Sequence, residues 1–228
     1  MPVPAARPLA KAERTRAAVL AAAERLFARR GYTATRLKDV ADAVGVKQAA
    51  LFYHFRDKQA LYDAVIEDAF GGLVGRIDAA FSASGPIAPR IERAVEAWVD
   101  AIEARPTLAR LILRYAAEAE ERPTQSLFPA AERLLTMGWS LFEEGRASGE
   151  LEPLHDDPFH SASALIGATV FYVSALVPLL PPGDFDPLAP EQMAAHKRDA
   201  LRTARRLIGI GTPRSASRRS VGIRPPGE

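Results

Sequence analysis

The 228 residues carry 30 Lys/Arg against 28 Asp/Glu, are 48% hydrophobic and contain no cysteine. That length buries a sizeable core, and the composition is that of an ordinary globular protein. The missing thiols exclude disulfide frameworks, zinc–thiolate sites and cysteine nucleophiles, and fit a reducing, cytoplasmic setting. The net charge of +2 is unevenly spread: residues 1–62 carry +7, residues 63–210 carry −8, and residues 211–228 carry +3. A basic block suits a polyanionic partner and an acidic block repels one, so two tasks are expected on one chain.

In chain order, residues 1–10 are rich in Pro and Ala and hold no apolar core long enough for a signal peptide. A first helix is predicted over about Lys11–Arg30. Its apolar stripe is Val19, Leu20, Ala23, Leu26 and Phe27, and Gly31 stands where a left-handed cap would end it. Thr35 is placed to N-cap a second helix that ends before Gly45. A third covers roughly Gln48–Phe55, and a fourth begins near Asp57 and runs toward Phe81. Ala41 lies four residues before Gly45, and Leu51 six after it. This is the spacing of a helix-turn-helix: a small residue where the helices cross, a glycine for positive φ in the turn, and an apolar anchor under the second helix. The second helix of such a unit enters the DNA major groove.

The surface chemistry of this unit fits DNA. Lys47 and Gln48 open the third helix, where side chains reach base edges. Gln bonds adenine bidentately, Lys reaches guanine acceptors or a phosphate, and small Ala49 lets the backbone approach and meets a thymine methyl. Tyr53, His54 and Lys58 follow as phosphate partners, with Arg36 and Lys38 flanking from the second helix.

Downstream, Pro86 and Pro89 mark a break. A fifth helix is predicted over about Ile87–Ala104, a sixth from Pro106 to about Glu121, and a seventh from about Ser126 to Ser148, with Pro123 between the last two. An eighth is expected over Pro158–Leu180 and a ninth over Pro190–Ile210, with a Ser/Pro/Gly/Arg-rich tail read as disordered over 211–228. No strand pattern and no fixed-period repeat occurs, so the fold class is all-α with about nine helices. The uncharged run Ser161–Gly183 is long enough to cross a membrane. Its Ser, Thr and Pro content and the lack of flanking Lys/Arg favour a helix buried by protein instead. His155 and His160 do not share a helix face, so no metal site is expected, and no phosphate loop or nucleophile elbow calls for a cofactor or an enzyme.

The eighth helix is apolar nearly all round, with Leu165, Ala168, Phe171 and Tyr172 among its residues. Such a helix needs cover on several sides. The ninth helix, with Leu201, Ala204 and Ile208, and a second copy of the chain would supply it.

The runs Gly31-Tyr32-x-x-Thr35, Val40-Ala41-x-x-Val44-Gly45-Val46 and Leu51-Phe52-Tyr53-His54-Phe55-x-x-Lys58-x-x-Leu61 resemble the TetR-type transcriptional repressors over about the first 60 residues. The resemblance implies a helix-turn-helix DNA-binding domain over 1–62 and an effector-binding and dimerisation domain over 63–210. It puts Gln48 and Ala49 on bases, and Tyr53, His54, Lys58 and Thr35 on phosphates. It makes Leu165, Ala168, Phe171, Tyr172, Leu201, Ala204 and Ile208 part of a homodimer interface, and so implies a palindromic double-stranded operator. It also implies a small-molecule effector pocket among helices five to seven, opening toward helix four and offered by Trp98, Ile102, Leu111, Arg114, Tyr115, Met137, Leu141 and Phe142. A ligand there would tilt helix four and release the operator. The chain departs from the family at Lys47, where Ser commonly caps the helix, at Phe52, which lacks a common Tyr hydroxyl, and at Ala50, which replaces a common Thr.

Three other readings stay open on the residues. An all-helical sensor or interaction protein could use the helix-turn-helix as structure only, but has no need of +7 on its first 62 residues. A small all-α enzyme would need an ionisable cluster in its core. A sequence-blind nucleoid protein would bind DNA without preference.

Overall fold

The computed structural model describes residues 11–118 and 128–210. The expectations for the N-terminal ten residues, the end of helix six at Glu121, Pro123, the start of helix seven at Ser126 and the tail lie outside the described residues. Among the described residues there are nine α-helices and no strand: α1 Lys11–Ala34, α2 Leu37–Val44, α3 Gln48–His54, α4 Lys58–Ser82, α5 Ile87–Ala104, α6 Thr107–Glu118, α7 Phe128–Ser148, α8 Pro158–Ser174 and α9 Pro190–Leu207. None of them is long and apolar enough to cross a membrane.

The breaks follow from local chemistry. At Gly31 the backbone takes φ 79° and ψ 175°. The predicted cap residue is right, but its conformation is the extended, glycine-only region rather than the left-handed helical one. Gly45 does adopt the left-handed form, φ 69° and ψ 30°. The Val46 N–H reaches back to the Ala41 carbonyl at 3.0 Å and satisfies the end of α2. The N-cap of α2 is Arg36, one residue later than predicted. Its backbone N–H donates to the Asp39 carboxylate at 3.3 Å, while Thr35 turns inward. The Asp57 side chain caps α4 by accepting from the Ala60 N–H at 2.7 Å.

α8 ends at Ser174, not Leu180, and a single 3-10 turn, Val177–Leu179, follows it. Pro178 is the cause: it has no N–H to give, and its ring clashes with the carbonyl four residues back, which belongs to Ser174. α9 likewise stops at Leu207, before Gly209 at φ 70°.

One buried cluster runs from the N-terminal head into the body. It joins Val19, Leu20 and Phe27 of α1, Val40 and Ala41 of α2, Leu51 of α3, and Leu61, Val65, Ile66 and Phe70 of α4. From the body it takes in Trp98, Ile102, Leu108 and Leu111, and reaches Val170, Met193 and Ala204. α4 therefore straddles the expected domain boundary at residue 62 and serves both halves. α1 packs on α6 and on α4, α4 on α5, α5 on α9, and α8 on α6 and α9. A second, smaller cluster of Ile87, Leu141, Phe142, Leu151 and Ile208 closes the far end.

Candidate nucleic-acid interface

α3 is pinned from below and bare above. Leu51 and the following Phe55 are buried in the head core, with the Arg16 guanidinium 5.4 Å from the Phe55 ring centre. At about 100° per residue, the opposite arc carries Gln48, Ala49, Phe52 and Tyr53, and all four are exposed. Tyr53, at 81% exposure, does not pack beneath α1. Its one ring–ring pair among the described residues is edge-on with His54, at 5.0 Å, and His54 is half-buried. Lys47 is the N-cap of α3 without a side-chain cap bond, and its exposed ammonium pairs with no carboxylate among the described residues.

The flanking expectations divide. Arg36 is exposed at the head of α2. Lys38 is exposed too but engaged, 2.8 Å from Asp42, and that hydrogen bond raises its pKa. The Lys58 ammonium donates to the Thr33 carbonyl at 3.3 Å and lies 4.1 Å from the Tyr32 ring centre. It sits at the junction of α1 and α4, beside an aromatic set in which Tyr62 meets Phe27 and Tyr32 edge-on at 4.9 and 5.2 Å. Thr35 needs correction as a contact. It is 1% exposed, and its hydroxyl donates to the Gly31 carbonyl at 2.7 Å, so it braces the α1–α2 turn and presents nothing to a phosphate.

The head is tied to the body by polar contacts that no local sequence pattern announces. Both Glu118 carboxylate oxygens, at the end of α6, accept from the Tyr32 N–H at 3.2 Å, and Arg114 Nη2 donates to the Arg29 carbonyl at 3.0 Å. At the other end of α6, the buried Glu24 of α1 accepts from Arg105 Nε at 2.8 Å, from Arg105 Nη2 and from the Thr107 hydroxyl. Arg105 also donates to the Asp68 carboxylate of α4 at 2.7 Å. These carboxylates hold its guanidinium well above its ordinary pKa. α6 is thus fastened to α1 at both ends.

Residues 19–65, which hold this helix-turn-helix, match the family described as bacterial regulatory proteins, tetR family. Over residues 19–65 the chain is similar to the TetR-type regulators. Among curated relatives it is 36% identical over 88 residues to the HTH-type transcriptional activator FasR of Mycolicibacterium smegmatis, covering 39% of this chain and 40% of that protein. It is 25% identical over 136 residues to the HTH-type transcriptional repressor KstR2 of the same organism, covering 59% and 66%. It is 40% identical over 57 residues to the HTH-type transcriptional regulator TtgR of Pseudomonas putida, covering 25% and 27%. The chain therefore spans less than two thirds of each of these relatives, and less than half of FasR and TtgR. All three are named as regulators, not enzymes. The solved structure of the ketosteroid transcriptional regulator KstR2 of Mycobacterium tuberculosis superposes with a TM-score of 0.65 at 20% identity, covering 82% of this chain and 93% of that one. The fatty acid degradation regulator FadR from Bacillus halodurans gives 0.59 at 16%, covering 87% and 96%. These likenesses show a fold shared with both structures through the body as well as the head.

The body residues expected to form a TetR-type pocket are not gathered at one place. Trp98, Ile102 and Leu111 lie in the main cluster, and Leu141 and Phe142 in the second. Arg114 is exposed on its tie to α1, and Tyr115 is half-buried. Met137 lines an open surface cleft of about 460 Å³ with Glu132, Arg133 and Thr136. The indole N–H of Trp98 is buried and finds no acceptor among the described residues. The expected dimer residues divide as well. Ala168 and Phe171 are exposed, and Leu165, Tyr172 and Leu201 half-buried. Ala204 is buried in the main cluster and Ile208, just past α9, in the second, so both side chains are already covered inside the protomer.

Proposed function

We propose that the chain is a homodimeric DNA-binding transcriptional regulator, a repressor that a small-molecule effector releases from a palindromic operator. The observation that carries this reading is the outward arc of α3, where Gln48, Ala49 and Tyr53 are presented to solvent over the buried anchors Leu51 and Phe55. A structural-only helix-turn-helix has no use for such a face, nor for the +7 charge around it. Lys47, Gln48 and Ala49 contact bases or the adjoining phosphate, and Tyr53, His54, Lys58 and Arg36 hold the backbone. A relative named as an activator stands beside one named as a repressor, so repression is part of the proposal.

Dimerisation is supported by α8. Its outward arc of Ala164, Gly167, Ala168 and Phe171 is exposed, with Phe171 at 48%. Outside its chain neighbours and the adjoining backbone of α8, no described residue lies within 4 Å of a Cβ built at Gly167. A mid-helix glycine costs about 1 kcal/mol relative to alanine, and its own chain has no need of it. A second α8 approaching closely would.

Effector control is supported by the unsatisfied Trp98 N–H, a buried donor that a ligand acceptor would satisfy, and by the ties of α6 to α1. An effector wedged beside α5 and α6 would shift α6, and with it the Tyr32 turn and the base of the recognition helix. α6 thus joins α4 as the moving element. The test is an electrophoretic shift on the DNA upstream of the chain's own gene, at near-physiological salt, against random duplex. Preferential retention supports the reading, and equal affinity for both duplexes sinks it.

A further inference from the structure

We propose that Phe52 is a specificity-determining residue of the recognition helix, its ring meeting the C5-methyl group of a thymine in the major groove. The inference rests on the DNA-binding reading above and adds to it a base identity at a residue that the family-like pattern leaves without its hydroxyl.

Phe52 is 51% exposed, whereas the other phenylalanines of the head, Phe27 and Phe55, are buried. It enters no ring–ring pair among the described residues, although its neighbours Tyr53, His54 and Phe55 do. Among the described residues folding therefore gives this ring no aromatic partner and leaves about half of it exposed, and α3 holds it out beside Gln48, one turn earlier on the same arc. A phenyl ring neither donates nor accepts a hydrogen bond, so it cannot grip a phosphate oxygen or read a polar base edge. In the major groove the apolar feature on offer is the thymine methyl. A cytosine in its place would set an amino group, with its water, against the ring at a desolvation cost.

The geometry places the contact. Four residues along a helix advance about 6 Å, roughly two base steps at about 3.4 Å each. The thymine therefore falls within about two base pairs of the base that Gln48 reads. With Gln48 suited to adenine and Ala49 small, the arc is shaped for an A·T-rich core in each half-site.

The test starts with the full chain selecting its preferred site from randomised duplexes. Each thymine of the selected half-site is then replaced by deoxyuridine, which removes only the methyl. Binding is compared for the wild type, Phe52→Ala and Phe52→Tyr. One substitution should weaken the wild type about fourfold, the worth of one buried methyl-sized group. The same substitution should leave Phe52→Ala unchanged. Because Phe52 is a surface residue, the variants should keep the wild-type helical circular dichroism. A wild type indifferent to uracil at every position overturns the proposal while DNA reading stands. So does a Phe52→Ala loss that is equal on selected and random duplexes, since the ring would then be packing on the backbone. If selection enriches no site, the DNA-reading head fails and the thymine contact fails with it.

Discussion

At Gly31 the backbone occupies φ 79° and ψ 175°, a region that costs other residues about 1–3 kcal/mol. A side chain there would also meet the Glu118 carboxylate that holds the Tyr32 N–H. Gly31→Ala should therefore lose about 2–3 kcal/mol in urea unfolding, and a loss under about 0.5 kcal/mol would show that the turn relaxes freely. This residue was legible in the sequence, as was Gly45, because a glycine after an amphipathic stripe has few other uses. Thr35 was not. A threonine before a helix reads as its cap, and only the fold shows that its hydroxyl points back to Gly31. Gln48 and Tyr53 came out exposed as expected because helical phase from Leu51 fixes them, and the same phase puts Phe52 outward.

Between elements, the long-range polar ties decide the behaviour. Glu24 is a buried carboxylate on α1 whose neutralising partner, Arg105, stands 81 residues away at the end of α5. Arg105→Ala would strand that charge, at a cost of about 2–4 kcal/mol in denaturant unfolding. Adding Glu24→Gln should return a good part of it, and a double variant no better than the single one would refute the pairing. Further along, His196 of α9 lies 3.1 Å from the Thr169 hydroxyl and stacks on Tyr172 at 4.4 Å. Burial lowers its pKa below the ordinary 6.5, with Asp199 pulling weakly the other way. The unfolded chain then takes the proton first, so this contribution is complete above about pH 6.5 and is lost on acidification below it. Between pH 7.5 and 5.5 the wild type should lose more stability than His196→Gln, and equal losses would remove His196 as the cause. The sequence placed α5 and the end of α7 because prolines and glycines punctuate them. It gave no sign of Glu24–Arg105 or Glu118–Tyr32, since contacts across 81 and 86 residues leave no local pattern. Ala204 and Ile208 are expected in a dimer interface for a similar reason: the apolar stripe is visible in the sequence, but only the fold shows that both side chains are covered inside the protomer.

At the scale of the whole molecule, the +7 of residues 1–62 and the −8 of residues 63–210 would make the proposed DNA affinity a matter of counterions, and salt would then report both the proposed contact and the proposed assembly. Each phosphate neutralised contributes about 0.9 to the slope of log affinity against log salt. Lys47 is exposed at the head of α3 and pairs with no carboxylate among the described residues. Lys47→Gln removes its charge and touches no core residue. If Lys47 meets one phosphate and one protomer binds, the slope should fall by about 0.9; if two protomers bind the operator, both copies lose the contact and it should fall by about 1.8. An unchanged slope with weaker operator binding would instead put Lys47 on a base, while an unchanged slope and affinity would remove it from the interface. The same titration on Phe171→Glu, which sets a carboxylate on the exposed α8 arc, separates assembly from contact. A variant driven to monomer should show about half the wild-type slope with Lys47 intact. A variant that keeps the full slope would place the dimer contact somewhere other than α8.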